Sequence, residues 1–177
     1  MAIHSTRGML TVAAAGLLAL AVASPASAVG TSATVTVMGG ALSISAPPDA
    51  GSLGSRVNTV LAGTISGPLG QVRVDDARSA AAGSGWVASA ISTAFTPTAG
   101  PTIGAAAVSY AAGSIAKVGT ATFTAEDAPN LTGATPVVTA TGITGDNSAT
   151  WNPTITVTVA GGKAAGVYSA TITHSVA

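Results

Sequence analysis

The stretch Thr154 to Val159, TITVTV, alternates β-branched apolar residues with threonines. A period of two is met only by an extended chain whose successive side chains point to opposite faces. Trp151, Pro153, Ile155, Val157 and Val159 share one face of this segment, and Thr154, Thr156 and Thr158 share the other. Pro153 has no N–H to give to a ladder, which assigns it to the strand's start or to an edge. The same grammar recurs along the chain. TSATVTVM sets Val35 and Val37 against threonines, and after Gly39-Gly40 the run ALSISA sets Leu42 and Ile44 against serines, the pattern of a hairpin. PPDAGSLG reads as a loop, VNTVLAGTIS as a strand, and Gly67-Pro68 as a turn before LGQVRV. In SGWVASAISTAF, Val87, Ile91 and Phe95 are spaced by four, which fits one face of a helix or of a strand; the intervening serines and threonine favour the strand. TIGAAAVSY, KVGTATFTA, TPVVTATGI and VYSATITHSV complete the set, with AGGKAAG turning the chain into a terminal hairpin. About ten short strands separated by Gly, Pro, Asn and Asp, with no helical pattern among them, predict an all-β fold: a single β-sandwich with Greek-key, immunoglobulin-like connections.

Ahead of these strands the composition changes. Arg7 precedes an uncharged apolar run from Met9 to Ala23, and Ala26 and Ala28 in SPASA form a small-residue exit. A positive start, an apolar stretch and an A-x-A site together read as a secretory signal peptide, and the run is shorter than the roughly 20 residues of a membrane span. Residues 1–28 are therefore expected to be removed, leaving 29–177 as one domain that is secreted, with no membrane span.

The chain has no cysteine, which excludes disulfides, thiol catalysis and thiolate metal sites. Charged residues make up 7% of it, against ~25% in an average globular domain. From residue 29 onward five scattered basic residues face six acidic ones. Nucleic acid is an unsuitable partner for that surface, since neutralising phosphates requires clustered basic groups.

His174 is the sole histidine after the leader, on a face shared with Tyr168, Ala170, Ile172 and Val176. No G-x-S-x-G elbow accompanies it, and a strand position favours a partly buried structural ring over a catalytic base. No catalytic residue is assigned. The acidic pairs Asp75-Asp76 and Glu126-Asp127, and Asp146-Asn147, are isolated and follow no calcium-loop spacing, so capping of turns is the preferred reading; no metal and no cofactor are expected. Trp86, Trp151, Tyr110, Tyr168, Phe95 and Phe123 are few against a core to fill, and burial is expected for most of them.

Two segments carry a resemblance. VDDARSAAAGSGWVASA is similar to the first signature of the bacterial WxL cell-surface domain, in which a V-x-D-x-R strand leads through a glycine-containing turn into a strand bearing Trp-x-Leu. VTVAGGKAAGVYSATITHSV resembles that family's closing hairpin. Val74, Asp76, Arg78 and Trp86 match the first signature, and Gly166, Tyr168 and Ile172 the second. The chain departs from the pattern at Trp86-Val87-Ala88 and at His174-Ser175-Val176, where alanine replaces one leucine and histidine and valine replace the second tryptophan and leucine. The resemblance implies a divergent, non-enzymatic surface protein held non-covalently at the cell wall by peptidoglycan or by a partner protein, with Trp86, Tyr168 and His174 as binding candidates. Asp76 and Arg78, two apart on one strand, suit a surface or cross-strand ion pair. A different expectation comes from the scarcity of charge: sheet edges with little lysine protection favour a subunit that self-assembles into a surface layer or fibre.

Overall fold

The structure, a computed structural model, describes residues 30–177; the expected signal peptide lies outside the described residues. The chain divides into a unit ending at Thr36 and a unit from Val37 to Ala177. Of the first, Gly30 to Thr36 form no strand and are exposed. Every strand among the described residues lies in the second.

Eleven strands build it: β1 Leu42–Ser45, β2 Gly63–Pro68, β3 Val72–Ser92, β4 Thr96–Pro97, β5 Val108–Ala111, β6 Ile115–Ala125, β7 Asp127–Ala128, β8 Thr135–Trp151, β9 Thr154–Val159, β10 Tyr168–Ser169 and β11 Ile172–Val176. One 3-10 turn, Ala105–Ala107, is the sole helical element among the described residues. The first sheet runs β1-β3-β8-β6, with β11 also on β3; the second runs β2-β9-β5-β7; β4 and β10 make a two-stranded ribbon. All pairings are antiparallel. The all-β sandwich expected from the alternation is therefore the fold.

Alternation explains which side chains meet between the sheets. Val72, Val74, Trp86, Ala88 and Ala90 of β3 and Val138, Ala140, Ala149 and Trp151 of β8 are buried, as are Val108 and Tyr110 of β5 and Ile155 and Val157 of β9. Each fully buried valine or isoleucine contributes about 1.5–3 kcal/mol relative to exposure. Trp151 closes β8 in one sheet and Thr154 opens β9 in the other. Pro153, buried between them, ends the first ladder and lends its carbonyl to the Leu69 N–H at 2.9 Å. The inward face drawn from Trp151 to Val159 is continuous through this crossing.

Several local expectations are corrected. TSATVTVM is not a strand: residues 30–41 form none, and Val35 and Val37 are 90% and 86% exposed. The pairing with β3 reaches only Gly40 and Ala41, whose bonds go to Ala77, because beyond Asp76 β3 leaves its register. VNTVLAGTIS is strand only from Gly63, and Gly67-Pro68 closes β2 instead of making a turn. The glycine-containing turn before Trp86 is a bulge inside the 21-residue β3, where Ala80 opposes Gly145 and Ser84 opposes Ile143. The terminal hairpin does not form. β9 pairs with β2 and β5, while β11 pairs with β3 in the opposite sheet.

Candidate functional site

β3 and β11 lie side by side, with Val176 opposite Ala88, His174 opposite Ala90 and Ile172 opposite Ser92. The backbones of Val87 and Ala177 exchange two further hydrogen bonds, at 2.8 and 3.1 Å. Both signature segments thus form one ribbon. Trp86, Ala88 and Ala90 point inward, and Val87 and Ile91, 36% and 38% exposed, point outward beside Thr173 and Ser175. This outer strip carries hydroxyls and two aliphatic side chains and no charge.

Beneath its β3 end is a polar knot. Asp76 is 1% exposed and accepts from Arg78 Nε at 2.8 Å and Nη2 at 3.0 Å, from the Arg78 backbone N–H at 3.2 Å, and from Asn147 Nδ2 at 3.1 Å. Asn147 Oδ1 in turn accepts from Trp86 Nε1 at 2.9 Å. Hydrogen bonding to the Arg78 guanidinium holds the Asp76 carboxyl below the usual carboxylate range. The expected surface ion pair is made, but its acid is buried: the pair lies within β3, and Asn147 of β8, bonded to both Asp76 and the Trp86 indole, ties β3 to β8 across the bulge. Trp86 is 2% exposed and packs its ring against Phe123 at 5.8 Å. In this arrangement it presents no face to a ligand.

The second cluster crosses the sandwich. Trp151 Nε1 donates to Tyr110 Oη at 2.7 Å, and Tyr110 Oη lies 3.2 Å from His174 Nε2, the rings 5.7 Å apart and edge to face. His174 is thereby tied from the first sheet to β5 of the second. Burial pushes the Tyr110 hydroxyl up and the His174 imidazolium down, so both are neutral at pH 7. Among the described residues His174 Nδ1 is buried without a partner.

His174 also lines a cavity of about 720 Å³. Ile65, Val157 and Val159 of one sheet and Ile172 of the other form its apolar walls together with Phe95 and Ile103. Its roof is the loop from Ala46 to Asn58 and the segment from Lys163 to Thr171, which brings Gly166 and Tyr168 to the rim. The Tyr168 hydroxyl donates to the Ala164 carbonyl at 2.9 Å, bracing that segment. Of the sequence candidates, Gly166, Tyr168, Ile172 and His174 therefore converge on one space, while Trp86, Asp76 and Arg78 gather in the knot and Val74 in the core. Tyr110, Trp151 and Asn147 complete these clusters. Only their polar aromatic or amide side chains on strand positions could have signalled it, since a buried indole or phenol requires a partner.

The acidic pairs make no joint site. Asp75 pairs with Arg73 on the surface, Glu126 accepts from the Thr139 hydroxyl at 2.6 Å, and Asp146 accepts from the Ser79 N–H at 2.9 Å. Among the described residues no three His, Asp or Glu side chains gather as a metal site would require. Comparison of the chain with family models, with curated proteins and with solved structures found no match.

Proposed function

We propose that the protein is a secreted, non-enzymatic binding module held non-covalently at a bacterial cell wall, through peptidoglycan or a surface partner. The observation that carries this reading is the juxtaposition of the two WxL-like segments as neighbouring strands with an uncharged, hydroxyl-bearing outer strip. Such a strip suits a neutral, hydroxyl-rich polymer better than a polyanion. Secretion rests on the leader-like N-terminus; among the described residues no helix is long and apolar enough to cross a membrane. Residues 29–177 incubated with purified sacculi are expected in the pellet at low and moderate salt. Retention in the supernatant under both conditions overturns the reading.

A second reading, a self-assembling surface subunit, is favoured by one feature: Val35, Val37 and Met38 alternate or adjoin in a segment outside any strand, 86–90% exposed, with no ladder of their own among the described residues. An unpaired segment of strand-forming sequence is suited to adding to the sheet edge of another copy. Its test is the concentration dependence of sedimentation.

A further inference from the structure

Little besides one ring ties β11 to the second sheet. β3 pairs with β8 along one side, and β1 and β11 share its other side, β11 taking the stretch from Ala88 to Ser92. The inward side chains of this five-residue strand, Ile172, His174 and Val176, are each only half-buried. Ile172 and Val176 pack against the core. His174 makes the single side-chain hydrogen bond of β11 among the described residues, with Tyr110 Oη on β5 of the opposite sheet at 3.2 Å.

That bond suits a neutral ring and fails an ionised one. Imidazolium is a donor at both nitrogens. Before Nε2 stands the Tyr110 oxygen, which already accepts from Trp151 Nε1 at 2.7 Å. Nδ1 is closed to solvent and meets no acceptor among the described residues. A counterion is missing as well. Opposite the ring on β3 is Ala90, with Ala88 two residues before it, and β9 brings Val157 and Val159 to the cavity that His174 lines. The titratable and charged groups of that lining are Arg56, Lys163, Asp49 and Tyr168. Two of them are cations, and Asp49 is turned to the Gly51 N–H at 2.8 Å. No carboxylate among the described residues forms an ion pair with His174. Burial therefore pushes the imidazolium down. In its seat the ion has an unmet donor and no counter-charge, and water supplies what both nitrogens need.

We propose that β11 is a latch that protonation of His174 releases: the ring ionises by leaving its seat beside Tyr110 for water, and β11 peels from β3 with it. β3 keeps β8 along its other side, so both sheets persist. What is uncovered is the β3 edge from Val87 to Ser92, a row of backbone groups open to another strand. The outer strip of Val87, Ile91, Thr173 and Ser175 comes apart in the same step, so a contact made there is broken by acid. The latch itself stands whatever the strip binds. Its pH dependence follows from linkage. A released ring binds its proton near the ordinary value of 6.5, and the seated ring binds it more weakly. Released β11 therefore gains on seated β11 by up to about ten-fold for each pH unit below 6.5, until the seated ring titrates too.

Amide hydrogen exchange of the full chain, resolved by NMR and corrected for the intrinsic rate at each pH, reads this ratio. The reporters are the Val87 and Ala177 N–H groups, which bond to each other's carbonyls across the seam, and the amides of β8 are the reference. Val87 and Ala177 are expected to open more readily than β8 at every pH, by a route that dilute urea barely affects. Between pH 7.5 and pH 5 their opening is expected to steepen toward about ten-fold per unit. His174→Phe keeps a ring that cannot take a proton and is expected to make this opening independent of pH. His174→Gln, also without a titrating proton, gives the same reading where the phenylalanine variant fails to fold. Opening of Val87 and Ala177 only together with β8 and with the same urea dependence, a flat pH profile in the parent chain, or a slope that survives in either variant each overturns the proposal. Should neither variant fold, the urea and pH dependence of the parent chain decides.

Discussion

Asp76 shows most sharply how one side chain governs a region. Its carboxylate receives three donors of Arg78 and one of Asn147, and Asn147 holds Trp86. Asp76→Ala leaves Arg78 and Asn147 without their acceptor and is expected to cost about 2–3 kcal/mol in urea unfolding, the loss associated with hydrogen bonds to a buried charged group. Arg73→Ala removes the exposed pair with Asp75 and is expected to leave the unfolding midpoint unchanged, as surface pairs usually do. The two buried titrating groups also separate by pH. His174 binds its proton more weakly folded than unfolded, so the unfolded state takes up the proton first and stability falls as pH drops below about 6.5, levelling once the folded ring titrates. Asp76 is likewise depressed, so its contribution is complete above the unfolded carboxyl pKa and is lost at lower pH, as pH falls through the folded value. Urea midpoints measured from pH 8 to pH 3 should show both declines, and His174→Phe should remove the upper one alone. The sequence carried His174 as a ring on an apolar face; it could not show Tyr110, 64 positions away, whose hydroxyl meets its Nε2.

Strand elements were largely legible because alternation is a local property, and the errors fall where a partner overrides it. TITVTV has its inward face buried in β9 as its period requires. TSATVTVM has the same period and is not a strand, because β3 beyond Asp76 offers no continuous ladder. The glycines of the stretch from Asp76 to Trp86, and those opposite it in β8, look like hairpin punctuation but sit in bulges of two long strands; Gly83 and Gly145 have φ of +90° and +71°, which lets each strand kink without ending. The cavity was not legible, since its roof is a loop whose packing depends on a contact 14 residues onward. A Cβ on Gly67 would lie 2.5 Å from the Leu53 carbonyl oxygen. Gly67→Ala is expected to push the Ala46–Asn58 loop off β2 while both sheets persist, at a cost of about 1–3 kcal/mol. Limited proteolysis should then cut between Ala46 and Asn58 many-fold faster than in the parent chain, with unchanged far-ultraviolet circular dichroism.

A sandwich with open edges must avoid joining its sheets to those of other copies, and this one uses few charges to do so. β6, an edge of the first sheet, has Lys117 and register shifts on either side of Thr120, and Gly119 there takes φ +89°; such bulges twist an edge away from a partner strand. β2, an edge of the second sheet, is approached by the Leu53 backbone of the roof loop. β11 has neither device. Among the described residues no strand hydrogen-bonds to its side opposite β3, its ladder is five residues long, and its exposed residues are Thr173 and Ser175. The segment from Thr34 to Met38 has matching length and the alternation needed to add there, so self-assembly, if it occurs, should run from this segment of one copy to β11 of the next. Such a contact is head-to-tail, so each copy offers a free segment at one side and a free edge at the other, and copies add on as concentration rises. Sedimentation velocity over a hundred-fold concentration range should show a progressive rise in mass. Val35→Lys with Val37→Lys should abolish that rise without altering the unfolding midpoint, because both side chains are exposed in the single copy. A parent chain that stays monomeric throughout removes the assembly reading and leaves the β3–β11 strip, free of any second copy, as the surface for a wall or a partner to meet.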